Sequence, residues 1–217
     1  MSKRELLKRY LLFILGLFFA AIGVAFTKHG ELGVSPISSV ANVLSYKFTF
    51  FSMGTWLIIW NCILIVGQVI VLRRNFQLIQ LLQVPLSFLF GWFTDFGMWM
   101  VAGIPTPNYS IRMAMVLIGV IILGFGISLS VTANVILNSG EAFVKAISDT
   151  SHKEFGNVKI AVDVSCVTLA VVLSLIFFDF TIVGTREGTI ISALLTGLVV
   201  KMFLRVVKKP IEYCINR

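Results

Sequence analysis

Met113-Ala-Met-Val-Leu-Ile-Gly119-Val-Ile-Ile-Leu-Gly-Phe-Gly126-Ile-Ser-Leu-Ser-Val-Thr-Ala-Asn-Val135 carries no charged residue from end to end. A helical run of roughly 20 such residues spans the ~30 Å hydrocarbon core of a bilayer. The same length and apolar character recur near Tyr10 to Thr27, Gly54 to Leu72, Gln77 to Val101, Val158 to Phe178 and Gly188 to Leu204. The composition of the 217 residues agrees, with 58% hydrophobic and only 13% charged and a mean hydropathy of +0.96. A soluble domain carries about 25% charged residues. Too little polar surface remains to clothe a globule in water, which excludes a soluble enzyme, a disordered chain and a nucleic-acid binder. The expected class is therefore an all-α membrane protein with six transmembrane helices.

The net charge of +8 has a topological reading. With the N-terminus in the cytoplasm, the inside segments hold Lys3, Arg4, Lys8 and Arg9, then Arg73 and Arg74, then Lys145, Lys153 and Lys159, then Lys201, Arg205, Lys208, Lys209 and Arg217. Only Lys28, Lys47, Arg112 and Arg186 fall outside. Both termini are expected in the cytoplasm. The basic start followed by an apolar run and Ala20-Ala21 imitates a signal peptide, but its kinship with a later span argues for retention. Cys62, Cys166 and Cys214 have no metal-ligand spacing, so neither a zinc site nor a disulfide framework is expected.

That kinship extends over the chain as a single domain with an internal repeat, about 10–101 and about 113–206. One ungapped shift lays Gly16 on Gly119, Gly23 on Gly126, Ser38 on Glu141 and Ser45 on Ser148. Dropping one residue brings Gly54 onto Gly156 and Asn61 onto Asp163, and a further small shift brings Gly91 onto Gly197. Three spans per half is an odd number, so the halves enter the membrane from opposite sides. Inverted repeats of this kind are the architecture of secondary transporters, with a site near the midplane.

Between the first two spans of each half lies a segment too short to cross: Gly33 to Ser45, which contains Pro36, and Asn138 to Ser148, which contains Gly140. Each is expected to form a short re-entrant helix, whose backbone is tolerated at membrane depth only beside protein or a wet cavity. A helix lying flat at the headgroups is the alternative.

Gly33-Val-Ser-Pro36, Gly140-Glu141-Ala142-Phe143, Phe155-Gly156-Asn157-Val158-Lys159 with Asp163, and Gly188-Thr189 with Ala193 to Gly197 together resemble the YitT/YczE-type bacterial integral membrane proteins. Glu31 stands where a glycine is more usual. The resemblance implies a cytoplasmic-membrane location and names no substrate.

Ionisable groups inside spans are expensive unless paired or facing a cavity. Asp163 lies four residues after Lys159 on one helical face, so the two are placed to pair. That pair serves either packing or a solute. Asn61, the repeat mate of Asp163, is polar within its own apolar span. Glu141 and its mate Ser38 open the two short helices, where helix N-termini favour anionic groups. The candidate solute or ion-binding residues are thus Asp163, Asn61, Glu141, Ser38, Lys159, Pro36, Gly140 and Gln83, with no catalytic residue, metal or cofactor expected.

Gln77, Gln80, Gln83, Ser87, Gly91 and Thr94 form a polar stripe on the third span, and Thr189, Ser192, Thr196 and Gly197 one on the sixth. Such stripes more often join helices than line a path. Pro85 is expected to kink the third span, and Asp95, Asp179, Arg186 and Glu187 are expected at water. Trp60 and Trp92 are deep enough to line a cavity. No HExxH, Walker A or nucleophile-base motif is present, so an enzyme is not expected. The first reading is a secondary transporter or channel for a small polar solute, with or without a coupling ion. A substrate-binding membrane subunit of an energy-coupled importer and a non-transporting scaffold are the alternatives. The bilayer is the expected partner.

Overall fold

The computed structural model describes the backbone of residues 3–215. Arg217 lies outside the described residues, and Lys208, Lys209 and Cys214 outside the described side chains. The elements are α1 (Lys3–His29), α2 (Ser39–Lys47), α3 (Met53–Leu72), α4 (Gln83–Val101), α5 (Tyr109–Ala133), α6 (Ser139–Ser151), α7 (Phe155–Phe177) and α8 (Glu187–Ile215), with 3-10 turns at Pro36–Ser38, Arg73–Asn75 and Leu78–Leu82. Six of these helices, α1, α3, α4, α5, α7 and α8, are long and apolar enough to cross a membrane.

Local chemistry sets their ends. Ser52 Oγ accepts from the Thr55 amide to open α3, and Asn108 does the same for Ile111 at the start of α5. These caps satisfy amides that the first helical turn leaves without partners. Asn134 and His152 take left-handed conformations just beyond α5 and α6, a common helix stop. Pro85 does not kink a span. The helix α4 starts only at Gln83, because Leu78–Leu82 is 3-10, so Pro85 falls in the first turn where its missing N–H costs nothing. For the same reason Gln77 and Gln80 precede α4 and do not continue its stripe.

The centre of the fold is an antiparallel crossing of α1 and α5. A Cβ on Gly16 would lie 2.8 Å from the Gly126 carbonyl oxygen, and one on Gly126 2.6 Å from that of Gly16. Farther along, Gly23 and Gly119 repeat the mutual contact at 2.7 and 2.8 Å. Without a hydrophobic drive between helices in lipid, such backbone approach is a main source of association. Helix α4 packs on α1 and α8 on α5, while α2 packs on α7 and α6 on α3. Helices α3 and α4 pack tightly on each other, whereas α7 and α8 stand apart.

All four basic residues counted on the outer side are engaged locally. Lys28 Nζ donates to Ser45 Oγ at 2.9 Å and sits 3.3 Å from the centre of the Tyr46 ring, and Lys47 donates to the Phe177 carbonyl. Arg112 pairs with Glu31 and Arg186 with Glu187. Lys28 thereby ties α1 to α2, Lys47 ties α2 to the end of α7, and Arg112 holds the turn after α1 to α5.

Two expectations about the surface change. Asp95 is not simply solvated: its carboxylate accepts from the Gly54 amide at 2.8 Å and from Ser52 Oγ at 2.6 Å, clasping α4 to the start of α3. Trp92 points outward. It is 75% exposed on the outer face of α4, where lipid would lie, while Trp60 is buried in the core.

Candidate functional site

The gap between α7 and α8 is one side of a cavity of about 620 Å³ that reaches the middle of the bundle. Its walls are mostly apolar, from residues such as Val24, Leu57, Phe90, Leu123 and Ile127. Six of the eight expected site residues line it: Pro36 and Ser38 from the 3-10 turn, Asn61 from α3, Glu141 from α6, and Lys159 and Asp163 from α7.

Lys159 and Asp163 form the i,i+4 ion pair, with Nζ 2.7 and 2.8 Å from the two carboxylate oxygens. Each charge is thereby spent on the other. Glu141 differs: its Oε2 is buried and has no hydrogen-bond partner. It lies on α6, outside the spanning helices, and burial pushes its carboxyl above the ordinary value against the opposing pull of Lys159. Asn61 is 4% exposed, and its Nδ2 has no acceptor. Ser38 is engaged with Ser35 through a 3.0 Å hydroxyl contact.

Two expected residues do not join the cavity. Gly140 is used for packing, since a Cβ there would lie 2.7 Å from Ile37 Cδ1, and this approach lets α6 reach the 36–38 turn. Gln83 faces away and exchanges two amide hydrogen bonds with Gln68, at 3.0 and 3.1 Å, in a fully buried pair. Gln68 also donates to the Ser139 carbonyl, so the pair braces α6 from behind. Changing either glutamine alone to leucine is expected to cost about 1–3 kcal/mol, because one buried amide loses its partners. Changing both is expected to recover most of that, as read by thermal unfolding of the two single variants and the double.

Ser192 and Thr196 of α8 also line the cavity, and neither hydroxyl has a partner. Their stripe is legible in the sequence, but its usual meaning is helix packing. What decides otherwise is that α7 stands apart from α8 and offers no acceptor opposite them.

Residues 7–205 match a family described as a family of unknown function, DUF6198. The chain belongs to this family. A DUF6198 member so defined is also 28% identical over 217 residues to the uncharacterized membrane protein YczE of Bacillus subtilis (strain 168), covering 99% of this chain and 94% of that protein. The YczE-type resemblance is thus upheld along nearly the whole chain, and with it the multi-pass membrane location. No solved structure matches this DUF6198 chain.

Proposed function

We propose that the protein is a small secondary transporter of the bacterial cytoplasmic membrane, with both termini inside, that moves a small solute by rocking two inverted repeats. One observation carries the reading. The seam between α3 and α4 is shut at Gly54 and Gly91, while of their repeat mates Gly156 lies in the first turn of α7 and Gly197 lines the cavity beside α7. A Cβ on Gly91 would lie 2.7 Å from the Gly54 carbonyl oxygen, whereas one on Gly156 or Gly197 would meet nothing within 4 Å. Equivalent seams in unequal states suit alternating access, in which one closes as the other opens.

The same registers sharpen the mechanism. Ser52 and Asp95, which clasp the closed seam, correspond to Glu154 and Lys201. Closure of the second seam therefore brings opposite charges together where the first has a hydrogen bond to a carboxylate. The α1–α5 crossing fits a twofold relation, because the Gly16–Gly126 contact maps onto Gly119–Gly23. In this reading α2 and α6 are the re-entrant helices. The open seam lies toward the end bearing Lys153 and Lys201, so the described state faces the cytoplasm. Without a nucleotide motif, transport draws on a gradient of the solute or of a coupling ion.

A cysteine pair tests this without knowledge of the solute. In a chain with Cys62, Cys166 and Cys214 changed to alanine, Gly156→Cys with Gly197→Cys is expected to form a disulfide under mild oxidation in membranes. Locking that seam is expected to make Ile58→Cys, at the other seam, accessible to maleimide from outside. Free labelling of both cysteines with no disulfide under any oxidant would show that α7 and α8 do not close, and the transporter reading would fall.

A further inference from the structure

We propose that the cavity binds a compact organic cation with an apolar body, its positive group seated at Glu141. This rests on the transporter reading only in taking the cavity as the solute site. The charge inventory points to a cation. Among the described lining residues the ionisable groups are Glu141, Lys159 and Asp163, and the last two neutralise each other through two short contacts. One carboxyl remains, and its buried Oε2 has no donor. One oxygen of this carboxyl is held by its own backbone amide while Oε2 has no donor, so a ligand bringing a positive donor gains a charge-assisted hydrogen bond there.

The rest of the cavity decides what kind of cation. A bare metal ion requires a close shell of several oxygens. Here the polar groups are spread over five elements, and among the described residues no cluster of metal-ligating side chains occurs. A volume of about 620 Å³ with mostly apolar walls is instead the size and character of a pocket for a small organic molecule. Asn61 Nδ2 and the Ser192 hydroxyl, both buried and without partners, offer a donor and a donor-acceptor for a polar substituent of the ligand.

Competition with protons follows. Burial favours the protonated form of Glu141, with Lys159 and Asp163 of α7 the charged groups that share its cavity. A cation enters as the proton leaves, so cation binding weakens as pH falls and Glu141 holds its proton more firmly. Occupation of one carboxylate by either a proton or an organic cation, never both, would couple the two flows in opposite directions.

Three probes of similar size test the assignment on the whole protein in lipid nanodiscs: protonated benzylamine, benzyl alcohol and phenylacetate, with affinity read by calorimetry at pH 7.5. Benzylammonium is expected to bind at least about tenfold more tightly than the alcohol, and phenylacetate to bind weakest. Glu141→Gln is expected to remove that tenfold preference, and a thermal unfolding transition matching that of the parent shows that the variant is folded. A cation preference that survives Glu141→Gln, or equal or better binding of phenylacetate, would overturn the assignment and leave the transporter reading standing. Binding of none of the three would also overturn it, and the cysteine pair would then decide the transporter reading separately.

Discussion

Gly91→Ala is expected to destabilise the protein by about 1–3 kcal/mol, and Gly197→Ala, its repeat mate, to stabilise it by up to about 1 kcal/mol. The opposite signs come from the two seams. At Gly91 the new methyl would lie 2.6 Å from Ile58 Cγ1 and 2.7 Å from the Gly54 carbonyl oxygen. Overpacking of a close contact costs about that much. At Gly197 the methyl meets open space, and alanine is the better helix former by roughly 1 kcal/mol. Thermal or denaturant unfolding in one detergent reads both. If α7 closes on α8 as proposed, Gly197→Ala is expected to slow disulfide formation between Gly156→Cys and Lys201→Cys even as it raises stability. A variant that is both more stable and faster to close would count against glycine contact as the closing surface.

The second large effect concerns the ion pair. Lys159→Met leaves the Asp163 carboxylate beside an apolar cavity without its counter-charge, and Asp163→Asn leaves the Lys159 ammonium in the same position. Removing one member of a fully buried pair costs about 3–5 kcal/mol. Here the side chains are 32% and 20% exposed, and solvent screening reduces the expected loss to about 1–2 kcal/mol for each single change. The double change Lys159→Met with Asp163→Asn is expected to recover most of the stability, since a pair replaced as a unit is often tolerated. Function separates the two uses of the pair. If the pair serves transport, opening of the outer seam, read by maleimide labelling of Ile58→Cys, changes in the stable double variant. Wild-type labelling in that double variant would reduce Lys159 and Asp163 to packing.

Each expectation from the sequence met a different kind of physics. The i,i+4 pairing of Lys159 with Asp163 was legible because the geometry of one helix determines it. The polarity of Asn61 inside a span was legible too, since a buried amide in a membrane has few inexpensive places to be. Gln83 looked equally good on the same ground, yet its amide is satisfied by Gln68, which lies 15 residues earlier on another helix. Nothing in either span announces the match. Asp95 near a span end looks solvated in the sequence, but α3 opens beside it with the Gly54 amide and a serine cap, and both donate to its carboxylate. Ser192 and Thr196 have the spacing of packing groups, which they would be if α7 lay against α8.

Residue order alone determined the membrane class, six apolar runs and the places where two short helices interrupt them, because transfer into a bilayer depends on local hydrophobicity and length. It also placed glycines where backbones can meet. Which of those glycines do meet is a tertiary matter: Gly54 and Gly91 touch, Gly156 and Gly197 do not. Contact between two helices depends on the rigid-body position of each, and identical registers permit both a closed and an open arrangement. The cavity, the unspent charge at Glu141 and the orphan hydroxyls of α8 all follow from the open one, so they exist only once the helices have been set in space.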